Sequence, residues 1–229
     1  MNKSPSSKLN RRDACRRLLG LAATPALAMS WLAAARPAIA DGNSDTVRVE
    51  EDWYIKIGTP DPDCDSPQIT TVMSPAWNTP GGGYSVFDLN CATQPGFSSG
   101  GVQLQYWSNN SIVQSKSNTN WDSLRFTEEE VTYTSVMRIE NDQLIFEIVN
   151  GSSSTWGSFG VGELIVQHPT WRRHLNGYDP ECSAYNSRIG WASFEVRSFV
   201  LQRVRYYSGN GQVSTDGIPR VLHQWNPST

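Results

Sequence analysis

Val131-Thr-Tyr-Thr-Ser-Val-Met-Arg-Ile139, Glu140-Asn141-Asp142, Gln143-Leu-Ile-Phe-Glu-Ile-Val149 is the stretch that decides the fold. Two runs rich in β-branched and aromatic residues flank a short polar turn, and Asn-Asp can centre such a turn. The pattern predicts a β-hairpin.

The same signature spreads in both directions. In Thr46–Ile57, the residues Val47, Val49, Trp53, Ile55 and Ile57 share one face, and Glu51 interrupts it. Ile69–Met73 is a further strand. Tyr84, Val86 and Asp88 alternate with Ser85, Phe87 and Leu89; Val102, Leu104 and Tyr106 alternate with Gln103, Gln105 and Trp107. This period of two is that of a strand with one buried face. Val161–Gln167 and much of Ile189–Tyr207 read the same way. Residues 108–123 are Asn/Ser-rich and read as a loop with one short strand at Ile112–Ser115. Residues 168–188 read as a long polar loop. Roughly nine to eleven short strands separated by turn residues predict an all-β protein, an antiparallel β-sandwich or jelly roll.

The N-terminus obeys other rules. Lys3, Lys8, Arg11, Arg12, Arg16 and Arg17 precede an apolar run from Leu18 to Ala35, and Ala38-Ile39-Ala40 supplies small residues for cleavage. Residues 1–40 are expected to be a helical signal peptide cleaved before Asp41, leaving 41–229 as a single domain. Pro25 and the alanines argue against an anchor. Two arginine pairs favour the twin-arginine export machinery over the Sec route. The expected destination is periplasmic, extracellular or cell-surface.

Removal of this leader takes seven of the nineteen Lys and Arg and one of the twenty-two Asp and Glu, leaving twelve against twenty-one. The resulting formal charge of −9 argues against nucleic acid and anionic membranes as partners. Three cysteines remain: Cys64, Cys91 and Cys182. Cys64 and Cys91 flank the ends of a predicted hairpin and are the favoured disulfide; three buried thiols are the other reading.

Around the hairpin, Asn150-Gly151-Ser152 and Thr155-Trp156-Gly157-Ser158-Phe159-Gly160, with Phe87-Asp88-Leu89-Asn90 and Gly100–Gln105, resemble exported bacterial proteins with the concanavalin A-like lectin/glucanase sandwich. The resemblance implies a jelly roll of two antiparallel sheets. It transfers no catalytic residue.

Several clusters could carry chemistry. Asp61, Asp63 and Asp65 alternate in a proline-bounded loop and are candidate Ca²⁺ ligands, though no EF-hand spacing follows. Glu128-Glu129-Glu130 lacks the alternation that would aim two acids into one cleft. Gln167-His168, Arg172, Arg173, His174, Tyr206 and Tyr207 could compose a lyase site, but the motif is incomplete and the acidic charge disfavours a polyuronate. Exposed indoles beside amides and carboxylates are the means by which proteins hold sugars. Trp107, Asn109, Trp121, Asp122 and Trp156 are therefore the candidate ligand contacts, and a glycan or cell-envelope component is the expected partner of a non-catalytic binding protein. The alternatives are a polysaccharide hydrolase or lyase on the same fold, and a structural envelope protein.

Overall fold

In the computed structural model, the described residues are 45–59, 67–77, 83–89, 101–118, 124 and 126–225, with the side chain of Trp191 excepted. Residues 1–40, Asp61, Asp63, Asp65, Cys64, Cys91, Trp121 and Asp122, which carry the expected leader, Ca²⁺ site, disulfide and two of the expected ligand contacts, all lie outside them.

In chain order the strands are β1 (Thr46–Ile57), β2 (Gln68–Met73), β3 (Tyr84–Leu89), β4 (Val102–Ser108), β5 (Ser111–Asn118), β6 (Glu129–Glu140), β7 (Gln143–Ser153), β8 (Gly157–Phe159), β9 (Ile165–Pro169), β10 (Arg188–Trp191), β11 (Val196–Ser208), β12 (Val213–Asp216) and β13 (Arg220–Gln224). One α-helix, α1 (Pro180–Asn186), precedes β10. The strands form two antiparallel sheets, a β-sandwich. The larger follows the order β12-β11-β1-β6-β7-β8, with β13 also on β11 and β9 also on β7; the smaller runs β10-β2-β3-β4-β5.

Alternation builds the core between them. Val49, Trp53, Ile55 and Ile57 of β1 point inward, as do Ile69 and Met73 of β2, Phe87 and Leu89 of β3, and Leu104 and Tyr106 of β4. The sheets meet edge-on through Phe87 and Tyr133, whose ring centroids are 4.9 Å apart, and through Tyr106 and Phe146 at 5.6 Å. The Tyr133 hydroxyl donates to Thr71 Oγ1 across the gap at 3.0 Å, so this buried phenol has its partner.

The hairpin that opened the sequence reading is β6–β7. Asn141 and Asp142 have φ of 50° and 59°, the twin left-handed residues of a tight hairpin turn. Beyond it, the Asn-Gly-Ser and Phe-Gly elements have a packing reason. Phe159 lies across Gly151, where a Cβ would sit 2.2 Å from its ring. Gly160 has φ +92° and no room for a side chain against the Ile148 carbonyl.

Three sequence expectations change. Residues 111–118 form a full edge strand, with Asn109 and Asn110 (φ 50° and 59°) as its turn to β4. An exposed edge strand needs no apolar alternation, so the sequence pattern marked only its middle, Ile112–Ser115. Residues 168–188 contain α1, which is too short to display a helical period. The strand expected over Val161–Gln167 begins at Ile165, because Gly160 and Gly162 hold left-handed backbone before it.

Candidate functional site

The smaller sheet turns its second face outward. There, alternation places Gln68, Thr70 and Val72 of β2, Tyr84, Val86 and Asp88 of β3, and Gln105 and Trp107 of β4 along the floor of an open groove of about 1240 Å³. Register sorts these residues into rows. Arg188 faces Thr70, Thr70 faces Asp88, and Asp88 faces Gln103. Four residues along the strands, Tyr84 faces Trp107, which faces Ile112.

The aromatic end is organised. Tyr84 and Trp107 lie nearly parallel, 12° apart with centroids at 6.1 Å. Trp107 Nε1 donates to Gln105 Oε1 at 2.6 Å, and Gln105 Nε2 donates to Gln103 Oε1 at 2.5 Å. This relay fixes the indole along β4 and sets both amides before any ligand arrives, which lowers the entropic cost of binding.

A wall rises where the chain leaves β2. Trp77 is 43 % exposed, and its centroid is 6.0 Å from that of Tyr185 on α1. One residue holds both. Asp179 caps α1 by accepting from the Glu181 amide at 3.0 Å, while its other oxygen accepts from Trp77 Nε1 at 2.9 Å. Pro180 follows at the first helical position, where a missing N–H costs nothing.

The segment leading to α1 is anchored in the core by Glu51. This carboxyl points inward from β1, fully buried. Tyr178 donates its hydroxyl to it at 2.6 Å and Trp53 Nε1 donates at 3.0 Å. Burial pushes its pKa up to about 7 against the lowering effect of these bonds. The break that Glu51 makes in the apolar face of β1 is thus an anchor for the groove wall.

Asp88 is the groove's only carboxylate among the described lining residues. It is 3 % exposed and accepts from Thr70 Oγ1 at 2.5 Å. Burial raises its pKa to about 6, opposed by the Thr70 bond and by the charge of Arg188. Cys182, a free and buried thiol, also borders the groove.

Of the residues the sequence offered, Trp107 stands on the groove floor. Asn109 is exposed in the adjoining turn, where Asn110 reaches the groove. Trp156 packs at the core margin against Phe159, their rings at 85° and centroids 5.8 Å apart, and is not among the lining residues. Glu129 is buried and accepts from the Thr155 amide and hydroxyl, both at 2.7 Å, while Glu128 and Glu130 pair with Lys56. The residues of the incomplete lyase pattern are dispersed: Arg173 pairs with Asp142, Arg172 lies over Trp171, and Tyr207 donates to Glu50. Among the described residues, no group of three or more His, Cys, Asp or Glu could hold a metal ion, and no helix is long and apolar enough to cross a membrane. Sequence reasoning missed Tyr84, Gln105, Asp88 and Trp77 as a set, since only the sheet register brings them together.

No family model matches the chain, and no curated protein matches it. Among solved structures it is similar to scytalido-glutamic peptidase bound to a transition-state analogue inhibitor, with 10 % identity over 79 % of this chain and 80 % of that one, and a TM-score of 0.28. A likeness at that level carries no argument.

Proposed function

We propose that this protein is an exported, non-catalytic glycan-binding protein on a concanavalin A-like jelly roll, with the groove of the five-stranded sheet as its ligand site. The observation that carries the reading is the stacked pair of Tyr84 and Trp107, its indole held by the Gln105–Gln103 relay, in one groove with Trp77. Flat apolar rings beside fixed amides match the two surfaces of a sugar, its C–H face and its hydroxyl edge. A glycosidase needs two carboxyl groups across one bond, and the described lining contributes Asp88 alone. Residues 1–40 act as the leader for export, and the ligand belongs to the cell envelope or its surroundings. Trp121 and Asp122 stay in the proposal as further contacts, and Asp61, Asp63 and Asp65 as a separate Ca²⁺ site.

The test is a glycan array probed with the purified protein and with Trp107→Ala, each with and without chelator. Binding by the wild type that falls about tenfold or more in Trp107→Ala is expected, from the loss of one stacking surface. Wild-type binding abolished by chelator adds the Asp61/Asp63/Asp65 site; binding indifferent to it removes that site. An array without a single hit refutes the proposal.

A further inference from the structure

The described arginines are nearly all answered. Every other described arginine except Arg172 has a carboxylate at 3.9 Å or closer, and Arg172 lies over the Trp171 ring. Arg188 has no such carboxylate among the described residues. It is exposed at the first position of β10, on the edge of the groove. The nearest acid in its row is Asp88, but Thr70 stands between them in the register and bonds one of its two carboxylate oxygens. A guanidinium with no close anion among the described residues, in a domain expected to carry a formal charge of −9, is poised for an anion from outside.

We infer that the groove selects an acidic oligosaccharide, whose carboxylate seats against Arg188 while another of its rings lies on the Tyr84/Trp107 pair. This rests on the glycan-binding reading. Guanidinium and carboxylate match as a planar, two-pronged pair, and such charge-assisted bonds are the strong ones. Register sets the ligand's length. Tyr84 is four residues along β3 from Asp88, the residue level with Arg188, and two strands over. That is about 13 Å along the strands and about 10 Å across them, a span for several linked sugars and not for one. The acidic surface repels a polyanion at a distance, yet at physiological salt this repulsion decays over about 8 Å. A contact at Arg188 is therefore decided by the local charge, and the charge-based objection to an acidic glycan holds only at long range.

The experiment is calorimetric titration of the purified protein at pH 7.5 and 0.15 M salt. The ligands are four-sugar gluco-, manno- and galacto-oligosaccharides, each against its uronate of the same linkage. For at least one backbone the uronate should bind about tenfold tighter than its neutral twin, the effect of one charge-assisted bond. Arg188→Gln should erase that difference and leave the neutral affinity in place, and Arg188→Lys should restore part of it. Equal affinities within every pair overturn this inference and leave the glycan site standing. A preference that survives Arg188→Gln, or a variant that loses both ligands equally, also overturns it. Binding of no oligosaccharide, neutral or acidic, takes down both readings.

Discussion

The two outer faces of this sandwich use alternation identically and fill it oppositely. On the eight-stranded sheet the outward positions of β1 and β11 carry a lattice of paired charges. Asp52 accepts from Arg203, Arg205 and Thr134, and Glu50 accepts from Arg48, Arg205 and Tyr207. On the five-stranded sheet the outward positions hold two aromatics, amides, hydroxyls, one acid whose pKa burial raises and one arginine with no close carboxylate among the described residues. A face whose charges are paired with one another offers little to a ligand. A face with oriented amides, half-exposed rings and an arginine without a close carboxylate among the described residues leaves room for one.

The sharpest test of this contrast concerns acids that neither face neutralises. Glu51 points between the sheets with its pKa raised to about 7. Since the folded state binds this proton more tightly than the unfolded chain does, its stabilising share is full below about pH 4.5 and is lost as pH rises through 7. Urea unfolding of Glu51→Gln and wild type should diverge by about 3 kcal/mol between pH 4 and pH 8, the variant being favoured at the higher pH. Parallel curves would show that Glu51 is not a strained acid. Asp88 follows the same sign over a lower window, from about 3.8 to about 6. Asp88→Asn should stabilise the protein by about 3 kcal/mol at pH 7.5 and by nothing measurable at pH 3.5.

Asp52→Ala makes the opposite case. It leaves Arg203 and Arg205 without their shared carboxylate and should cost about 1–3 kcal/mol of stability without touching the groove. A stabilised Asp52→Ala, or a destabilised Asp88→Asn, would dissolve the distinction between a structural face and a binding face. At the small end, Tyr84→Phe removes no described hydrogen bond and keeps the ring, so glycan affinity should change by less than about threefold. A larger loss would move the contact from the ring face to the hydroxyl.

The sandwich itself was legible because strand alternation is local. β1 has the bounds its pattern predicted, and the inward and outward residues of β3 and β4 are those read from the period of two. Even Glu51, which broke the pattern, proved to mark an anchor. The groove was mostly hidden. Arg188, Thr70, Asp88 and Gln103 meet through pairings between strands far apart in sequence, and no spacing announces such a row. Trp107 was found because an indole beside asparagines is a local clue. Trp77 became a wall only through Asp179, some hundred positions away and at the start of a helix of 7 residues, and a helix this short leaves no periodic trace.

One titration tests the central claim directly. The glycan that binds best on the array is added to wild type, Trp107→Ala and Arg203→Gln, and tryptophan fluorescence is followed. If the five-stranded face is the binding face, wild type and Arg203→Gln show the same saturable change and Trp107→Ala shows none at the same concentrations. An undiminished change in Trp107→Ala, or a loss in Arg203→Gln matching that in Trp107→Ala, would contradict the account and place the ligand elsewhere.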